Sequence, residues 1–235
     1  MLKSHNLPKP DYSSKVFNAL REAASQEWND YIDHAFVRGM ADGTLPKASF
    51  LHYLVQDYVF LRHFSRAWAL GVVKSTTLQE MKHSAATVNG LIHVEMPLHI
   101  KICAREGISE EELFNAEEEA ANLAYTRFVL DAGQSGDFLD LLVALLPCVL
   151  GYGEIGLRLA ATQADSTPYQ EWIDTYAGEE FQALCQLGGE LLEHAVANRL
   201  GDNFEASPRW PQLCRTFATA TKLEAGFWQM GLKGK

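Results

Sequence analysis

Four positions put a chemically useful polar group into stretches that are otherwise apolar and helical: Asp57, Cys148, Tyr152 and Glu224. Cys148 and Tyr152 are spaced i, i+4, so on a helix both side chains leave the same face. Singly, each admits an ordinary explanation. Asp57 can pair with Arg62 or Arg66, Glu224 can face solvent, and Cys148 can be a small buried hydrophobe. Taken together with Tyr125 and Tyr176, they fit the lining of a single cleft. Two carboxylates, a thiol and several phenols around a flat apolar slot suit a planar nitrogen heterocycle. The carboxylates accept amine or ring N–H bonds, the aromatic rings stack, and a thiolate attacks an electron-poor ring carbon. Desolvation in an apolar helix disfavours that thiolate, and an anionic Asp57 nearby disfavours it further. The attack therefore needs proton transfer to a carboxylate or hydrogen bonds from the tyrosines.

The element that must carry Cys148 is apolar nearly all round, with no charge from Leu141 to Leu150. Such a helix has no polar face to offer water and belongs in the centre of a helical protein. Pro147 removes one backbone hydrogen bond and is expected to push the helix off line. Gly151 and Gly153 cost helix propensity and are expected to admit a close neighbour, another helix or a flat ligand. Asp137 opens this helix. Asp57 falls in the third turn of a helix predicted over 47–74, after a glycine- and proline-punctuated linker from Gly39 to Pro46. A first helix capped by Ser13 or Ser14 runs to about Asp33, and a third spans about 78–105 with Pro97 as a kink. Ser109 followed by Glu110, Glu111 and Glu112 is a strong start for a fourth, which carries Tyr125 and ends before Gly133. A further helix begins at Ser166-Thr-Pro168, carries Trp172 and Tyr176, breaks near Gly178 and resumes to Asn198. The last begins near Ser207-Pro208 and carries Glu224, Phe227 and Trp228. The periodicity is helical from end to end, which gives an all-α, bundle-like domain of about seven or eight helices.

The 235 residues are expected to form one domain, 1–235, with a loose segment over 1–12. An apolar fraction of 47% and a charged fraction of 21% are those of an ordinary soluble globular protein. A net charge of −10 opposes phosphate neutralisation, so nucleic acid is not an expected partner. The N-terminus lacks the apolar core of a secretory signal, and no apolar run reaches the roughly 18 residues of a membrane span. Cys103, Cys148, Cys185 and Cys214 are scattered without a Cys-x-x-Cys pair, which indicates free thiols in a reducing cytoplasm and not a disulfide frame or a zinc site.

A set of motifs carries a resemblance to a known family: Phe36, Gly43-x-Leu45, Phe50, Tyr53-Leu-x-Gln-Asp57, Phe60-Leu, Leu-Pro-Cys148, Tyr152-x-Glu-Ile-Gly, Trp-Ile-Asp-Thr-Tyr176 and Glu224-x-x-Phe-Trp228. From Phe36 to Trp228 the chain resembles TenA, the thiaminase II family, in its cysteine-containing branch. The resemblance implies a haem-oxygenase-like helical fold, a homotetramer and no cofactor or metal. It also implies hydrolysis at an aminopyrimidine ring, of thiamin or of its degradation product 4-amino-5-aminomethyl-2-methylpyrimidine, yielding the hydroxymethyl form for thiamin salvage. On that resemblance Cys148 is the nucleophile, Asp57 binds the amidine edge and helps hold the thiolate, and Glu224 binds the ring and passes protons. Tyr125, Tyr152 and Tyr176 line the slot, and Phe36 and Phe227 close it. One position departs from the pattern: many members carry a tyrosine where this chain has Phe60, which keeps a flat wall and removes a hydroxyl.

Two other readings share the scaffold. A helical di-iron oxidase needs several inward carboxylates and histidines, but Glu80-x-x-His83 is a single Glu-x-x-His pair, and Glu95 and His99 are spaced by four. A non-catalytic pyrimidine-binding or regulatory protein would hold the ring without turning it over. No helix-turn-helix with a basic face accompanies it, and the Glu110–Glu112 and Glu117–Glu119 clusters would repel DNA.

Overall fold

The computed structural model describes residues 7–162 and 167–234, and among them every regular element is helical. In chain order the α-helices are α1 (Lys15–Ala23), α2 (Ser25–Ile32), α3 (Ala35–Ala41), α4 (Lys47–Lys74), α5 (Leu78–Gly90), α6 (Met96–Arg105), α7 (Glu110–Phe114), α8 (Ala120–Ser135), α9 (Phe138–Thr162), α10 (Gln170–Ala177), α11 (Glu179–Leu200) and α12 (Trp210–Gly231). The expected long helices are present, several of them divided by short breaks. The expected first helix is interrupted at Ala24 (φ −112°, ψ 31°), and the expected linker from Gly39 begins inside α3. The expected helix start at Ser166 lies outside the described residues, as do residues 1–6.

The chain separates into two compact units. One comprises the residues up to Leu45 together with Leu146–Ala225. The other comprises Pro46–Leu145 and the stretch from Gly226 onward.

In the second of these, α4 is the spine, and α5, α6, α7 and α8 all pack on it. Its middle is buried almost all round, from Tyr53 and Leu54 through Asp57, Phe60 and Phe64 to Trp68. The Lys74 ammonium at its end donates to the carbonyls of Gln134 (3.2 Å) and Gly136 (2.8 Å), satisfying orphan acceptors at the negative end of α8. A five-residue π-helical turn, Leu91–Glu95, links α5 to α6. Pro97 follows directly, and the backbone at Gly90, Leu91, Glu95 and Met96 stays in the α region, so the expected kink is a π-bulge within one continuous helical run. Ser109 and Glu112 form a complete capping box on α7. The expected fourth helix is nevertheless broken between Phe114 and Ala120. Gln56 holds the gap open: its Nε2 donates to the Glu117 carbonyl at 2.8 Å, and its Oε1 accepts from the Glu119 N–H at 3.1 Å. α8 also runs on through Gly133 to Ser135.

In the other unit, Ser14 caps α1, its Oγ accepting from the Phe17 N–H at 2.9 Å. The Glu193 carboxylate on α11 accepts from the Ser14 hydroxyl and the Val16 N–H, both at 2.8 Å, and ties the two helices together. Tyr12 is buried, and the Pro10 carbonyl accepts from Arg21 at 2.9 Å. Along α9, Gly151 and Gly153 prove to be packing glycines. A Cβ at Gly151 would stand 2.2 Å from the Tyr31 ring, and one at Gly153 would stand 2.5 Å from both the Cys185 sulfur and the Tyr12 hydroxyl.

α9 starts at Asp137 as expected, with its Oδ1 accepting from the Leu139 N–H at 2.9 Å. It continues through Pro147 as one helix. Contrary to the run-length expectation, α9 is long and apolar enough to cross a membrane by length and composition, because isolated acidic residues do not undo the apolar average. Of that window 83% is buried inside the protein, the state of a core helix.

Candidate active site

Asp57 is 4% exposed on α4 and does not pair with the arginines of its own helix. Arg62 donates to the Phe114 carbonyl at 3.0 Å, and Arg66 lies 3.2 Å from the His63 ring. The partner of Asp57 is His99 on α6, whose Nε2 stands 2.7 Å from Oδ2. The Tyr53 hydroxyl, one turn earlier on α4, donates to the same oxygen at 3.2 Å. Burial pushes the His99 imidazole down, but the hydrogen bond and charge of Asp57, with the Glu95 carboxylate and carbonyl, outweigh it and hold the ring at about 9. Cys103, one turn beyond His99, is pushed up to about 11 by burial, by Asp57 and by Glu106, and stays a neutral thiol.

An aromatic wall stands on the same stretch of α4. Phe60 stacks on Tyr125 of α8 at 5.1 Å between ring centroids and 26° between planes, and on Phe64 at the same separation. Phe227 meets Phe60 edge-on at 5.6 Å and Tyr53 at 6.2 Å. Tyr125 is placed by Asn122 one turn before it, whose amide donates to the Gln56 carbonyl at 2.8 Å. Asp57, Phe60, Tyr125 and Phe227 are thus brought together in this unit, with Tyr53 and His99 as members that the sequence pattern did not single out for chemistry.

In the other unit Cys148 is half-buried on α9, with Tyr152 one turn on. The Tyr152 ring meets Tyr176 of α10 edge-on at 5.0 Å and Trp172 at 5.7 Å, and Trp172 and Tyr176 are 4.3 Å apart. Tyr176 also packs against Phe181 at 4.8 Å. This fixes the two expected tyrosines relative to each other and adds Trp172, whose i, i+4 spacing to Tyr176 was the available signal. Phe36 is fully buried in α3, and Glu224 in α12 is 2% exposed, so it does not face solvent. All four cysteines are free thiols.

Glu154, within the Tyr152-x-Glu-Ile-Gly motif, has a structural part. Fully buried, it accepts from Arg21 Nη1 at 3.0 Å and Trp28 Nε1 at 3.1 Å on one oxygen, and meets Arg158 at 2.8 Å on the other. Among the described residues no three His, Cys, Asp or Glu side chains gather as a metal-ligand set. The Glu80 carboxylate of the single Glu-x-x-His pair accepts from the Thr76 N–H at 2.8 Å, and His83 packs against Trp68.

Residues 21–234 match the model of the TENA/THI-4/PQQC family. The chain belongs to that family. An aminopyrimidine aminohydrolase of Halalkalibacterium halodurans is 37% identical over 90% of this chain and 93% of its own length. A crystal structure of a TenA family transcription regulator from Silicibacter sp. TM1040 is 60% identical, with a TM-score of 0.93 over 95% of this chain and 99% of that one. A domain of unknown function with a haem-oxygenase-like fold from Shewanella denitrificans, 14% identical, aligns with a TM-score of 0.71 over 92% of this chain and 91% of its own. The TenA chain described here therefore has the all-α, haem-oxygenase-like fold expected of it.

Proposed function

We propose that this TenA-family protein is an aminopyrimidine aminohydrolase. It would hydrolyse the C–N bond at the ring-bound methylene of 4-amino-5-aminomethyl-2-methylpyrimidine, or of thiamin, and return the hydroxymethyl product to thiamin synthesis. The observation that carries the reading is the identity of 37% over nearly the whole chain to a protein of that name, in a sequence that itself carries Cys148, Glu224 and Asp57. The buried, oriented Asp57 carboxylate supports recognition of a ring amine, since an anion pinned by two donors on one oxygen accepts further N–H groups on the other. Cys148 acts as nucleophile on the electron-poor ring carbon, and Glu224, buried in α12, moves the proton to the ring or the leaving amine. Tyr125, Tyr152 and Tyr176 contact the ring, with Phe36, Phe60 and Phe227 as apolar walls. With Phe60 in place of a tyrosine, any hydroxyl contact to the ring comes from elsewhere.

We extend the proposal to a cytoplasmic homotetramer. The oligomeric part rests on the family resemblance; Val73, Leu78, Val94 and Phe114, exposed by 78%, 65%, 68% and 57%, are apolar side chains available to such an interface. Steady-state kinetics with thiamin and the aminomethylpyrimidine, without added metal, test the reading. Turnover of the aminomethylpyrimidine with the higher kcat/KM is expected. Binding of both without turnover favours the non-catalytic alternative and defeats the enzymatic one.

A further inference from the structure

The two hydrogen bonds on the Asp57 carboxylate both fall on Oδ2, one from the Tyr53 hydroxyl and one from His99 Nε2. His99 is itself 4% exposed, and its other nitrogen, Nδ1, lies 3.0 Å from the Glu95 carbonyl oxygen. A carbonyl oxygen only accepts, so Nδ1 carries a proton. With Asp57 ionised, its carboxylate only accepts, so Nε2 carries one as well. A ring with both nitrogens protonated is an imidazolium. We propose that His99 is a positioning residue, held as a buried imidazolium between Glu95 and Asp57, which keeps Asp57 an oriented anion with Oδ1 directed to the amine of the substrate.

The arrangement has a local cause. The π-helical turn ends at Glu95, with the Met96 N–H bonded to the Leu91 carbonyl, and Pro97 follows at once. The Glu95 carbonyl then lies one turn before His99, within reach of its ring. The titratable groups around the pair are Tyr53 on α4, Glu95 at the end of the turn and Cys103 on α6. Of these only the Glu95 carboxylate adds a charge, and its sign favours the imidazolium. The consequence is selective: an anion held with one free oxygen accepts from an amino group and repels the oxygen of an oxo-pyrimidine at the same ring position.

The proposal rests on the aminopyrimidine reading for its substrate, and on the hydrogen-bond geometry with an ionised Asp57 for its charge state, so two readouts separate them. In protein labelled with 15N-histidine, both His99 nitrogens should appear protonated at pH 7. Asp57→Asn should then bring the ring's titration midpoint down to or below the ordinary histidine value. A neutral His99 at pH 7, or a midpoint indifferent to Asp57→Asn, overturns the proposal. With the aminomethylpyrimidine as probe, His99→Leu should raise KM by about 10–100-fold with a smaller fall in kcat, the effect of losing one hydrogen bond to a charged group. His99→Gln, which keeps one N–H for Asp57, should recover most of that loss and should lack the alkaline fall in kcat/KM expected of the wild type as His99 loses its proton. A His99→Leu protein that folds and keeps wild-type KM overturns the positioning role. Wild-type protein that binds no aminopyrimidine defeats the functional reading and the substrate clause together, while the 15N spectrum still decides the charge state.

Discussion

Replacing Gly156 by alanine should destabilise the protein, although the same change elsewhere in a helix stabilises it. A Cβ built at Gly156 stands 2.5 Å from the carbonyl carbon of Tyr176, 2.7 Å from the Ala177 nitrogen and 2.7 Å from the Tyr176 oxygen. All three are backbone atoms and cannot swing aside as the tip of a side chain can. Ordinary contact is about 3.5–4.0 Å, so α10 would have to move by about 1 Å. Overpacking of this kind costs about 1–3 kcal/mol, against which alanine recovers up to about 1 kcal/mol of helix propensity. The net expectation is a loss of about 1–2 kcal/mol, or several degrees in melting temperature for a chain of this size. Gly226 in α12 is the control, since nothing lies within 4 Å of its Cβ position. Gly226→Ala should therefore gain up to about 1 kcal/mol. Urea unfolding with a common m-value measures both. A Gly156→Ala protein as stable as the wild type would refute the close approach of α10 to α9, and with it the placement of Tyr176 beside Tyr152.

Three further outcomes follow from the geometry. Arg21→Met removes one cation from the fully buried Glu154 while leaving Arg158 and Trp28, and should cost about 3–5 kcal/mol in denaturant unfolding; a loss below about 1 kcal/mol would mean that Arg158 alone compensates the charge. The raised His99 value makes stability depend on pH in a definite direction. Its contribution, on the order of 3 kcal/mol, is fully present below the ordinary histidine value of about 6.5 and is lost as pH rises through about 9; Asp57→Asn should flatten that slope, and a wild-type stability that climbs between pH 7 and 9 contradicts the pairing. Glu224→Gln, at a fully buried position, should lower kcat more than it raises KM for the aminomethylpyrimidine; a variant with neither parameter changed has no acid–base carboxylate at that position.

The long helices were legible because their signals are local. Asp137, Ser14 and Ser109 act as the caps their types suggest, and the predicted span of 47–74 coincides with α4. The breaks were not legible. Ala24 is the best helix former yet interrupts the first helix, and the glutamate-rich stretch before Ala120 is held out of helix by Gln56, more than fifty residues earlier. The same distinction governs the site. Tyr152 and Tyr176 were legible from helical spacing and a family pattern, and they do meet. Asp57 was legible as a residue, but its partner was sought on its own helix, where Arg62 and Arg66 have other acceptors and neighbours. His99 comes from another helix, and a lone histidine between Glu95 and Cys103 carries no sign that a carboxylate waits across the packing interface. Gly151 and Gly153 were open to either a helix or a ligand; the Tyr31, Tyr12 and Cys185 side chains decide for packing.

The central claim is that Cys148 opens a covalent route on an aminopyrimidine ring. Its most direct measurement is turnover of the aminomethylpyrimidine by Cys148→Ser beside the wild type, with circular dichroism to establish that both are folded. The account predicts that the serine protein keeps its helical spectrum and loses turnover by orders of magnitude. A folded Cys148→Ser protein that turns the substrate over at the wild-type rate would contradict it.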